Sequence, residues 1–401
     1  MQLTKTVLFI ALLSFLACKN DPKTNSNAPN SATTPPSAGS VANQPEVLLY
    51  SVNVNNLQLR DQPTSIGSQV ITKLVEGSFV TGLGEKSAKQ EELELRGIPY
   101  KDFFYKVTSS SPEQYTGWLF GAALTTVYAG SKQDSPDLGK LAQLNNYLVT
   151  LNAKDLKSGK KAWDFVTANF ADTKDALADA SYILLSNFLT KMEVEGAFYT
   201  LTEKSIQWKP ADMEAIYAGK FEMNTYPLTK TLKENGFRLE TAEGMVFPIA
   251  DWQKLYDFFG SRVSKVMKSY LDQNVQEQKD GYASDGGLII SVAQLAERAA
   301  FWEQFNKENP YFPMSENTRI TEEWMRATVI CGLNNTPTND YETGKISEEF
   351  KQAWLMILQK YPNTKLAAKV KEISDLYAAN NWKHNETIEN WVTKFQETNA
   401  Y

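Results

Sequence analysis

The sequence predicts a multidomain α+β protein, a small β-barrel followed by a mostly α-helical domain with helical hairpins. Three observations predict it. Strand-like alternation broken by turn residues fills 46–128, helical periodicity dominates 138–401, and a leash poor in apolar residues precedes both. A sub-boundary is expected near residue 245. At 401 residues the chain is long enough to bury a sizeable core.

Residues 1–17 place Lys5 before the apolar run Val7 to Leu13, and Ala17 stands directly before Cys18. A charged start, a short apolar core and a small residue before the cut mark an export signal, and the run is too short to span a bilayer comfortably. Ala17-Cys18 resembles the bacterial lipobox, with Phe15 where leucine is commoner. That resemblance implies a lipidated Cys18 at the mature N-terminus, a protein anchored to membrane lipid by several acyl chains. Lys19-Asn20-Asp21 resembles the export tags of surface lipoproteins in some diderm bacteria, which points to the outer membrane. Residues 18–45 are then read as a tether. Asn20 to Gln44 is nearly all Asn, Pro, Ser, Thr, Ala and Gly, and nothing in it can offset its ordering entropy.

In the first folded unit, Leu57 and Leu59 alternate strand-wise before a turn at Asp61 to Thr64. Val70, Leu74, Gly77, Phe79 and Val80 repeat that strand–turn pattern, and Tyr105-Lys106-Val107 and Gly117-Trp118-Leu119-Phe120-Gly121 follow. These segments, in this order, resemble a bacterial SH3-like (SH3b) domain over about a fifth of the chain. The resemblance implies a small β-barrel used for binding. Glu85 to Phe104 is longer than the usual connection and carries Glu91, Glu92, Glu94 and Arg96. Phe103 and Tyr105 alternate with Phe104 and Lys106, so we expect Phe104 to point away from the core and border a groove with an acidic rim. A competing expectation places Phe104 over the junction with the helical domain. Arg60, Phe104, Tyr115 and Trp118 are the candidate ligand-binding residues. For Arg60 the bland alternative is a clamp inside the barrel, and for Trp118 a core role.

Ala129 to Asp137 reads as a second linker. Helices are expected at Leu138 to Leu151, Trp163 to Phe170 and Ala176 to Leu189, an extended edge at Phe198 to Pro210, and a hairpin from Gly236 to Phe247. Asp251 caps one continuous helical face through Trp252, Leu255, Phe259, Val263, Val266 and Tyr270, with Gln276 to Gly287 as a polar connection. Ser291 and Gln294 form a capping box before the stripe Leu295, Ala299, Trp302 and Phe305. Trp302, Phe305 and Pro310 recur 52 residues later as Trp354, Ile357 and Pro362, each a helix stopped by proline and followed by another helix. Tyr361-Pro362-Asn363-Thr364 resembles the turn between paired helices of tetratricopeptide-like repeats. Asp285-Gly286-Gly287-Leu288 with Arg298 and Trp302-Glu303, and then Gly332 to Pro337, is similar to a helical domain of exported bacterial proteins that carries no known activity.

Composition and motifs argue against several classes. A formal charge of −6 supplies no basic surplus for nucleic acid. The single histidine, His384, rules out the usual zinc patterns, so neither a metal nor another cofactor is expected. The only other cysteine, Cys331, ends an apolar helix and reads as a small buried thiol, while His384 lies in a polar turn, so no catalytic pair is expected. No nucleophile elbow or phosphate loop occurs. The favoured expectation is therefore a non-enzymatic, lipid-anchored envelope protein that binds peptidoglycan peptides or a protein partner. The alternative is a cell-wall hydrolase using paired carboxylates in the helical domain, because 47 acidic residues offer many pairings.

Overall fold

Nine strands open the folded chain: β1 (Val47–Val52), β2 (Leu57–Arg60), β3 (Val70–Leu74), β4 (Phe79–Lys86), β5 (Glu91–Leu95), β6 (Ile98–Asp102), β7 (Phe104–Ser109), β8 (Thr116–Phe120) and β9 (Leu124–Gly130). The computed structural model describes residues 47–95, 98–109, 114–130, 136–195, 227–242 and 245–399. The signal segment, Cys18, the tether and the Phe198 to Pro210 stretch lie outside them.

Seven of the strands form one antiparallel sheet in the order β3-β2-β8-β7-β4-β1-β9. Register decides its two faces. Phe104 pairs with Phe120, Lys106 with Trp118, and Trp118 with Arg60, so these side chains share one face. Leu59, Val107 and Leu119 occupy the other and fill a small core with Val52, Leu57, Leu74 and Val80. Gly117 is required where β8 passes β2, because a Cβ there would lie 2.6 Å from the Arg60 carbonyl oxygen.

One expectation changes here. The sheet does not close into a barrel: β3 and β9 remain its edges. Leu49 of β1 and Val127 and Tyr128 of β9 instead join the larger core of the helical body, which covers that side of the sheet. The described residues of the long connection form strands of their own. Its β5 and β6 pair as a separate hairpin, with Leu95 packed against the small core.

Eleven helices follow among the described residues: α1 (Leu138–Thr150), α2 (Lys157–Phe170), α3 (Asp175–Val194), α4 (Pro227–Asn235), α5 (Trp252–Phe259), α6 (Lys265–Asp280), α7 (Val292–Glu308), α8 (Ser315–Cys331), α9 (Glu348–Lys360), α10 (Lys365–Ala379) and α11 (Glu386–Asn399). The hairpin expected after Gly236 is β10 (Phe237–Ala242) with β11 (Met245–Ala250). The large core runs without interruption through it, from Leu239 to Leu255.

The face expected from Trp252 to Tyr270 is broken into α5 and α6. The first helix stops at Gly260, and Ser264 starts the second by accepting the Met267 N–H at 3.2 Å. This resets the helical phase, so Met267 is buried and Val266 is 37% exposed. Helix α6 also continues to Asp280, through residues read as connection. The capping box of Ser291 and Gln294 is present, and Leu295, Ala299, Trp302 and Phe305 are all buried.

The motif residues of the repeat region hold the body together. Arg298 pairs with Asp280 at 3.0 Å, and the Trp302 indole donates to Glu277 at 2.9 Å. Glu303 accepts the backbone N–H groups of Lys365 and Leu366, so it caps α10 from the preceding helical hairpin. Two small hairpins, β12 (Ala283–Ser284) with β13 (Gly287–Leu288) and β14 (Gly332–Leu333) with β15 (Thr336–Pro337), lock together. Asn335 N–H donates to the Gly286 carbonyl at 2.9 Å, and Leu288 N–H to Thr336 Oγ1 at 2.9 Å.

Candidate cleft at the sheet–helix seam

The sheet meets the helices through short polar links. Asn145 of α1 accepts from Ser51 at 3.3 Å and donates to the Gly77 carbonyl, while Asn187 of α3 donates to Asn53 at 3.2 Å. Gly77 adopts φ +85° in the β3–β4 turn, which sets Glu76 against the end of α3. There Lys191 pairs with Glu76 and lies 3.8 Å from Glu195.

Above this seam opens a cleft of about 690 Å³. The β5–β6 hairpin contributes Leu93, Glu94 and Leu95, and the β1–β2 turn contributes Asn55 and Asn56. Phe104 and Phe120 lie beneath it, their ring centroids 5.6 Å apart, and Glu76, Lys191 and Glu195 form the helical end. The hairpin is tied down by Glu91, which accepts from Ser65 N–H at 2.9 Å and Ser65 Oγ at 2.5 Å. Burial alone pushes the Glu91 carboxyl up, but hydrogen bonds from Ser65 and Thr64 and the charge of Arg60 outweigh it and hold it below its usual range.

Of the four candidate binding residues, the structure brings two to this cleft. Arg60 lines it, its guanidinium already donating to Ser68 at 2.9 Å and to Gln58. Phe104 lines it too, but at 1% exposure it is packed floor, not a ring standing in solvent. Phe120 and the inserted hairpin account for the difference, since they meet the face on which Phe104 stands. Tyr115 packs beside the small core, and Trp118 lies further along the outer face, with Lys106 Nζ 5.7 Å from its ring centre. Neither is among the residues lining the cleft. Glu76, Leu93, Lys191 and Glu195 escaped sequence reasoning. The only local hint was the i,i+4 spacing of Lys191 and Glu195, which surface helices show everywhere.

His384 contacts Glu389 at 2.9 Å and the Tyr377 hydroxyl at 3.2 Å. Burial pushes the Cys331 thiol up to about 12, so it stays protonated at neutral pH and is a poor nucleophile. Among the described residues no group of acidic, histidine or cysteine side chains is arranged to hold a metal ion. None of their helices is long and apolar enough to cross a membrane. No family model, curated protein or solved structure matches this chain.

Proposed function

We propose that the protein is a lipid-anchored binding protein of the bacterial envelope, attached through Cys18, whose N-terminal sheet serves as an SH3-like module. Its cleft receives a peptide that carries amino groups, from peptidoglycan or from an envelope protein. The observation that carries this reading is the cleft beside the inserted hairpin. Its volume falls within the roughly 300–1,000 Å³ usual for ligand sites. Apolar Leu93 and Leu95 supply contact area above the packed floor of Phe104 and Phe120, and Glu76, Glu94 and Glu195 supply negative charge.

The hydrolase alternative has less support. Glu76 and Glu195 face a shared lysine rather than an open position between them. The carboxyls most displaced by burial, Asp179 at about 6 and Glu193 at about 7, are not among the residues lining the cleft.

The experiment has two arms. Cys18→Ser should move the full chain from the detergent phase to the aqueous phase; unchanged partitioning would remove the lipid anchor. The released protein should be retained on purified cell-wall sacculi or on one envelope protein, and passage through both unbound would contradict the binding role.

A further inference from the structure

The end of α3 holds a charge arrangement that the binding reading leaves unused. Lys191 stands between two carboxylates, Glu76 from the β3–β4 turn and Glu195 from its own helix. The three side chains are 21%, 15% and 24% exposed. They are thus neither a solvated surface pair nor a sealed one. All three line the cleft, so the ammonium of Lys191 lies where an amine of a bound ligand would find its counter-charges.

Behind the pair lies a second, smaller cavity of about 40 Å³, between β1, α1 and α3. Glu76 and Lys191 line both spaces, so the lysine is the partition between them. Asn53, Asn145 and Asn187 line the small cavity. The Asn53 amide oxygen accepts from Asn187 at 3.2 Å and that of Asn145 from Ser51 at 3.3 Å. The volume suits one group about the size of a water molecule, for which liquid volume is roughly 30 Å³.

We propose that Lys191 is a built-in occupant of an ammonium subsite formed by Glu76 and Glu195, and that the primary ammonium of the ligand displaces it. The proposal rests on the cleft being the binding site. It deepens that reading by naming the ligand group, a primary amine on an apolar or peptide frame, and the internal competitor. Displacement transfers the Glu76 ion pair from protein to ligand. Because that pair also joins the β3–β4 turn to α3, ligand binding and the sheet–helix seam are coupled through one side chain.

The test titrates N-acetyl-Ala-Lys-Phe-amide into the full chain by calorimetry, with the norleucine peptide as its amine-free control. Lys191→Met should bind the lysine peptide about tenfold tighter than the wild type, the norleucine peptide should show no such gain, and Glu76→Gln in the Lys191→Met background should abolish it. In the wild type, the Nζ resonance of Lys191 should move on adding the lysine peptide and stay still with the control. Equal affinity of wild type and Lys191→Met, while Leu93→Arg blocks both, would overturn the internal occupant and leave the cleft standing. Binding that survives Leu93→Arg would overturn the cleft itself. No binding of the lysine peptide to either protein would overturn the ammonium subsite.

Discussion

Glu303 in the helical body and Glu76 at the cleft are both largely covered carboxylates, and their partners differ in kind. Glu303 accepts two backbone N–H groups at the start of α10, partners that cannot leave without unwinding a helix. Glu76 accepts a lysine side chain that borders two cavities. The same chemical group is thus a fixed cap in one place and an exchangeable contact in the other. The body uses backbone partners elsewhere too, with Arg298 donating to the Gly281 carbonyl at 2.7 Å and Trp354 Nε1 to the Val329 carbonyl at 2.9 Å. At the cleft, Arg60 and Lys191 are held by side chains instead.

Substitutions should separate the two regions by size of effect. Trp354→Ala removes a fully buried ring and should cost about 3–5 kcal/mol in urea unfolding. Phe104→Ala should cost about 3 kcal/mol, since this cleft residue is also packed floor. A loss under about 1 kcal/mol would mean that the floor is pliable and the two regions differ more than we argue.

Helix α3 belongs to both regions and carries a pH response. Burial raises Asp179 from 3.8 to about 6 and Glu193 from 4.5 to about 7, against hydrogen bonds from Ser264 and the Ala250 backbone. The folded state therefore holds these protons more tightly than the unfolded chain. The associated stability is complete below the unfolded values and is lost as pH rises through about 6 and about 7. The loss should be on the order of 3 kcal/mol per group, and Glu193→Gln should flatten the upper part of the curve. A slope unchanged by that substitution would contradict the assignment.

The smallest contrast is the sharpest. Glu303→Gln should lower stability by about 1–2 kcal/mol, and Glu76→Gln by less than about 1 kcal/mol. Equal costs would erase the distinction between cap and exchangeable contact.

The sequence made the helical body legible because its signals are local. Asp251 and Ser291 announce their helices, and Trp302 and Trp354 repeat at helical spacing before prolines. The break at Gly260 was hidden, since Val266 and Met267 are both apolar and either could continue the face. The cleft was legible only in part. Alternation placed Phe104 on the outer face of β7, and the insertion marked the neighbourhood. Glu76 and Lys191 are 115 residues apart and meet only when the sheet docks on α3, which no periodicity records. Openness of the sheet was illegible for the same reason, because β9 turns toward helices supplied much later in the chain.

The claim on which the account rests is that the cleft between the inserted hairpin and α3 is where this protein binds its partner. Leu93 is a partly exposed wall of that cleft, so Leu93→Arg should block it while leaving the melting temperature within a few degrees of the wild type. Retention of the full Cys18→Ser chain on cell-wall sacculi, or on the envelope protein that captures it, should fall at least tenfold in the Leu93→Arg background. Undiminished retention with the fold intact would place binding elsewhere and contradict the account.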